Sequence, residues 1–144
     1  ITSIYLSHAD LEKHNERLQA KYAKIEAEEV MVDEFETDDA ELVLIAYGIS
    51  SRVCRTAVQK ARAKGLKVGL LRPITLFPFP SKRIKEFSDR GVKSFLTVEC
   101  SNGQMVKDVR LALEGKTPVE FYGRMGGEVP DADEVVAEIE RILG

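Results

Sequence analysis

Residues 46–80, AYGISSRVCRTAVQKARAKGLKVGLLRPITLFPFP, decide the fold. The stretch opens in an apolar run and turns at Gly48. It then places Val53, Ala57 and Ala61 at helical spacing, with Cys54 and Val58 beside them. Ser50 or Ser51 is the expected cap of this helix, and Gly65 its stop. A second apolar run follows and ends at Arg72-Pro73, after which Pro73, Pro78 and Pro80 frame Phe77 and Phe79 in a loop. Strand, amphipathic helix and strand in that order form a βαβ unit, whose two strands lie parallel in one sheet.

The same alternation extends outward. Apolar runs at 42–47, 68–71, 94–98 and 119–122 are each followed by a helical pattern. The later helices are expected from Ser81 to Gly91, from near Asn102 to Gly115, and from Pro130-Asp131 onward. In the last of these, Val135, Val136, Ile139, Ile142 and Leu143 make an apolar packing stripe. The pattern predicts a three-layer α/β/α domain with a mostly parallel sheet. The first forty residues read differently: Ser7 or Asp10 caps a helix that runs to about Phe35, polar over most of its surface, with Leu11, Leu18, Tyr22, Ile25 and Val32 along one side. This predicts a connector over 1–39, or equally a surface helix lying on its own domain, and an α/β domain over 40–144. A start at Ile1-Thr2-Ser3-Ile4, without Met or a capping pattern, fits a piece of a longer polypeptide.

Composition narrows the function classes. A chain of 144 residues suffices for one domain with a real core, needing no disulfide or metal to hold it. A formal charge of −3, with Lys and Arg interleaved among the acids, leaves no basic stripe for nucleic acid. No apolar run approaches the roughly 18 residues of a membrane span. Cys54 and Cys100 are the only cysteines, which predicts free thiols and a reducing, cytoplasmic setting.

In a parallel sheet, ligands gather at the carboxyl ends of the strands. The sequence places Gly48, Ser50, Ser51, Arg72, Asn102, Gln104, Arg124, Gly126 and Gly127 there, together with Arg52. Glycines, hydroxyls, amides and arginines beside helix N-termini suit an anion or a carboxylate of a partner subunit. The same residues equally suit turns, caps and ion pairs to Glu99, Glu120 or Glu128. Phe77 and Phe79 supply apolar area either for a partner or for packing beneath their own loop.

Several chemistries are excluded. GISSR at 48–52 lacks the later glycines of a dinucleotide fingerprint, and there is no Walker lysine. No strand ends in an aspartate suited to phosphoryl acceptance. His8 and His14 are six apart on one helix, not the four that would pair them on a metal. Cys100 and Ser101 have no histidine in their half of the chain to serve as base. No catalytic residue, metal site or iron–sulfur spacing is therefore expected.

Residues 46–80, with 98–105 (VECSNGQM) and 118–130 (PVEFYGRMGGEVP), resemble the transketolase C-terminal-like domain of the alpha subunit of 2-oxoacid:ferredoxin oxidoreductases, most closely the 2-oxoisovalerate and 2-oxoglutarate types. The resemblance implies an enzyme that oxidatively decarboxylates a 2-oxoacid onto coenzyme A and reduces ferredoxin. It also implies that thiamine diphosphate, Mg2+ and iron–sulfur clusters are held elsewhere in the complex. This domain would be non-catalytic, packing against the preceding pyrimidine-binding domain, a beta subunit and other subunits, with ferredoxin only an indirect partner. The reading from another class is a free-standing flavodoxin-like module binding coenzyme A or a phosphorylated small molecule.

Overall fold

The computed structural model describes residues 4–144; Ile1, Thr2 and Ser3, with which the chain opens, lie outside the described residues. The elements are α1 (His8–Glu28), β1 (Val32–Phe35), β2 (Leu42–Ile45), α2 (Gly48–Ala63), β3 (Val68–Pro73), α3 (Ser81–Asp89), β4 (Ser94–Glu99), α4 (Met105–Leu113), β5 (Val119–Gly123) and α5 (Ala132–Leu143). One five-stranded sheet in the order β1-β3-β2-β4-β5 carries them. β2, β3, β4 and β5 run parallel and β1 pairs antiparallel with β3 at the edge.

The strands buried on both faces read as near-continuous apolar runs, and alternate residues serve opposite helix layers. Leu42, Leu44, Val68, Leu70, Leu96 and Val98 pack on one face against Cys54, Ala57, Val58 and Ala61 of α2 and Val135, Val136 and Ile139 of α5. Val43, Ile45, Leu71 and Phe95 pack on the other against Ile84 and Phe87 of α3 and Met105, Val109 and Leu113 of α4. The three-layer α/β/α arrangement predicted from the alternation is the one observed.

Three local expectations need correction. The N-terminal helix does not reach Phe35: it stops at Glu28, with Glu26, Glu28 and Glu29 crowding a C-terminus that has no basic residue in its last turn. The freed segment Val32–Phe35 joins the sheet instead, Asp33 opposite Arg72 and Phe35 opposite Leu70. Ser50 and Ser51 do not cap α2. That helix opens at Gly48, whose φ of +57° suits glycine, and Tyr47 offers no side-chain cap. The helix expected near Asn102 opens only at Met105, because Ser101, Asn102 and Gly103 form the loop that brings a carboxylate over its N-terminus.

Candidate functional site

The carboxyl ends of β2 and β4 lie side by side, and the helices that follow them, α2 and α4, leave to opposite faces of the sheet. This is the topological switch point at which such sheets receive ligands. Here Ser50, buried in the first turn of α2, sits with its Oγ 3.3 Å from the Sγ of Cys100, which is solvent-exposed. Both cysteines are free thiols, and Cys54 is buried so completely that desolvation pushes its thiol pKa well up. The two histidines stand on α1; His14 bonds to Tyr5 through a 2.9 Å contact rather than reaching the sheet.

At the end of β4 the structure uses a residue the sequence left among possible ion-pair partners. Glu99 is only 1% exposed, and its carboxylate accepts hydrogen bonds from the backbone N–H groups of Gln104 (3.1 Å), Met105 (2.9 Å) and Val106 (2.9 Å) and from the Ser101 hydroxyl (3.0 Å). The N-terminus of α4 is thereby satisfied from within, and Asn102 and Gln104 are left exposed around it. An anion has no open donors to find at that helix end. The sequence signal was there: a carboxylate closing an apolar strand, followed by Ser-Asn-Gly and then a helix.

The remaining strand-end residues do not assemble into a single site. Arg124 lies 3.4 Å from Glu134, which also accepts the Tyr122 hydroxyl at 2.7 Å. Tyr122 is pushed up to about 12, first by burial and then by this bond. Gly126 and Gly127 sit exposed in the β5–α5 loop with positive φ. Toward the opposite edge of the sheet, Ser51 and Arg72 line a cavity of about 210 Å3 together with Arg52, Arg55, Leu70 and Asp33. Arg72 pairs with Asp33 at 3.4 Å, not with Glu99, Glu120 or Glu128.

The proline loop divides its two phenylalanines. Phe79 is half-buried against the cluster of Ile84 and Phe87, whereas Phe77 is 64% exposed and meets Tyr22 from α1 in a T-shaped arrangement, ring centroids 6.2 Å apart. Around Phe77 stand Ile74 (51% exposed), Leu76 (47%) and Met31 (50%), the last tied to the loop by Ile74 N–H donating to its carbonyl. Between this loop, α3 and the end of α1 runs a groove of about 610 Å3, lined by Ala27, Val30, Phe77 and Phe79 among others.

Residues 40–135 match the family model described as pyruvate:ferredoxin oxidoreductase core domain II. The chain belongs to that family. It is 53% identical over its whole 144 residues to the ketoisovalerate oxidoreductase subunit VorB of Methanothermobacter thermautotrophicus, of which it spans 40%. It is 38% identical over 103 residues, 72% of its length, to the 2-oxoglutarate synthase subunit KorA of Methanothermobacter marburgensis, covering 27% of that subunit. Among solved structures, the 2-oxoglutarate:ferredoxin oxidoreductase from Magnetococcus marinus, described with 2-oxoglutarate, coenzyme A and succinyl-CoA bound, superposes with a TM-score of 0.82 at 22% identity, over 97% of this chain and 24% of that one. A split-gene transketolase superposes over 78% of the chain with a TM-score of 0.65 at 20% identity. The last two show a shared fold. The resemblance carried by residues 46–80 and by the fold class is thus established, for a chain that spans well under half of the subunits it matches.

Among the described residues no three His, Cys, Asp or Glu side chains converge on a point, and the α4 N-terminus is closed by Glu99. Among the same residues no helix is long and apolar enough to cross a membrane.

Proposed function

We propose that this chain is the core domain of the alpha subunit of a thiamine-diphosphate-dependent 2-oxoacid:ferredoxin oxidoreductase acting on a branched-chain 2-oxoacid. Its role there is to pack subunits together and support an active site built by other domains. The reading includes a cytoplasmic enzyme whose thiamine diphosphate, Mg2+ and iron–sulfur clusters sit outside this chain, and whose partners are a preceding pyrimidine-binding domain, a beta subunit and, through them, ferredoxin. The substrate class rests on the 53% identity to a ketoisovalerate oxidoreductase subunit, which extends through α1 as well as the sheet domain.

The observation that carries the architectural role is the apolar surface of the proline loop and α1. α1 is 21 residues long and has no buried residue, yet it ends beside exposed Met31, Ile74, Leu76 and Phe77. A helix that buries no residue against its own domain, beside such a patch, is suited to a neighbour. The test joins this chain to its preceding domain, co-expresses the companion subunits, and follows viologen dye reduction with 2-oxoisovalerate and coenzyme A. The complete enzyme is expected to turn over and the 144-residue chain alone to be inert, while Phe77→Asp leaves this chain folded but lowers the yield of assembled enzyme. Turnover by the chain alone, or full assembly with Phe77→Asp, overturns the proposal.

A further inference from the structure

The cavity on the α2 side of the sheet edge concentrates positive charge in a way the packing role does not require. Arg52 and Arg55 stand three residues apart on α2, Arg72 rises from β3, and all three line the same space of about 210 Å3. Two of the guanidiniums are placed by contacts of their own. Arg55 lies over the Phe35 ring with its carbon 4.0 Å from the centroid, and Arg72 is held opposite Asp33 by the strand register. Arg52 forms no ion pair among the described residues, and the buried Nε–H of Arg72 has no hydrogen-bond acceptor although Asp33 lies 3.4 Å away. Three guanidiniums face one carboxylate, so the cavity carries a surplus of two positive charges. Ser51 also lies in the first turn of α2, whose positive end no side chain caps, and Arg52 follows it directly.

We propose that this cavity binds a phosphate-class dianion, either free phosphate or the terminal phosphoryl group of a small molecule. The charge surplus matches a dianion, and a tetrahedral oxyanion presents oxygens in enough directions to meet three guanidiniums at once, which one planar carboxylate does not. The volume lies below the roughly 300–1,000 Å3 of sites that enclose a whole drug-sized ligand, so the cavity fits the anionic group and leaves any attached body outside. Asp33 acts as an internal competitor that holds Arg72 in place until the anion arrives. The inference goes beyond the packing role and does not rest on it.

Calorimetric titration of the 144-residue chain with inorganic phosphate at low ionic strength tests it, with glycerol 3-phosphate as the arm for phosphate carried on a small molecule. Saturable one-to-one binding is expected, weakened about tenfold or more in Arg52→Gln and in Arg72→Gln. Asp33→Asn removes the competitor and is expected to tighten binding, a gain that a merely structural Arg72–Asp33 pair would not produce. Arg110→Gln, on α4, should leave the affinity unchanged. Tighter binding of glycerol 3-phosphate than of phosphate assigns the site to a phosphorylated metabolite, and equal binding assigns it to the free ion. Absence of saturable binding, affinity indifferent to Arg52 and Arg72, or an acidic peptide that occupies the site and resists displacement by phosphate would each overturn the proposal.

Discussion

Glu99 shows how one side chain decides whether a strand end is a site. Its buried carboxylate holds three backbone N–H groups and one hydroxyl, so it fills the position where an anion would otherwise sit. Glu99→Ala leaves those buried donors unpartnered and is expected to cost about 3 kcal/mol or more, with Glu99→Gln intermediate because its carbonyl still accepts. Denaturant midpoints of the two variants measure this; an Ala variant as stable as the parent would remove Glu99 from the cap. Gly69 makes a comparable point without chemistry: a Cβ there would meet the Glu36 carbonyl oxygen at 2.6 Å, so the strand passes closest to the β1 turn at a residue that has no side chain. At this scale the sequence was only partly legible. The nine strand-end residues lie in or next to the segments that follow the parallel strands, but hydrogen-bond partners depend on loops of several residues whose path no spacing rule prescribes. Hence Ser50 and Ser51 were expected as caps, whereas Ser50 bonds to Cys100 and Ser51 to the Gly48 carbonyl.

The element that escaped sequence reading is β1. It has four residues, two of them acidic, and it follows directly on a long helical pattern, so nothing local distinguishes it. What makes it a strand is distant: its ladder with β3, the Arg55 guanidinium over Phe35, and the Arg83 guanidinium on Glu34 at 2.5 and 2.8 Å. The four parallel strands, by contrast, carried their own apolar runs and turn signals. The Glu34–Arg83 pair ties β1 to α3 and gives the edge a pH signature. The hydrogen bond from Arg83 is the main cause that holds the Glu34 carboxyl below the usual carboxylate range. A depressed folded-state value contributes stability that is complete above the unfolded carboxylate pKa, about 4.3, and is lost as pH falls through the folded value. The stability difference between the parent chain and Glu34→Gln is therefore expected to be largest near pH 7 and to shrink steadily on acidification below about pH 4.5. Urea midpoints collected between pH 7 and pH 3 decide it, since a difference constant across that range would mean the pair contributes nothing.

Taken as a whole, the molecule is a two-faced α/β core with an appendage. Two buried clusters, one on each side of the sheet, account for α2 through α5, and the periodicities that built those faces were plain in the sequence because each is a local repeat along one segment. α1 lacks such a face. Its contact with the rest runs through Tyr22 on Phe77 and through Ala27 at the groove, and none of its apolar residues is fully buried. Local opening is governed by how much buried apolar surface a segment must expose, so α1 should open far more readily than α2, whose inner face includes Cys54, Ala57, Val58 and Ala61. Trypsin under native conditions is expected to cut the 144-residue chain first after Lys13, Arg17, Lys21 or Lys24, leaving a resistant product that begins near Ile25 and retains the sheet. The basic residues of α2, of which Arg52, Arg55 and Lys60 are exposed, should survive on the timescale of those cuts because their backbone is pinned by the core. In the proposed oxidoreductase complex the same α1 bonds should become resistant, since a docked neighbour would add the buried surface that this chain lacks. Mass spectra of timed digests read both arms. If α1 is as resistant as α2 in the lone chain, it already packs on its own domain, and if it is cut equally fast in the complex, no neighbour docks there and the packing role must lie on another face.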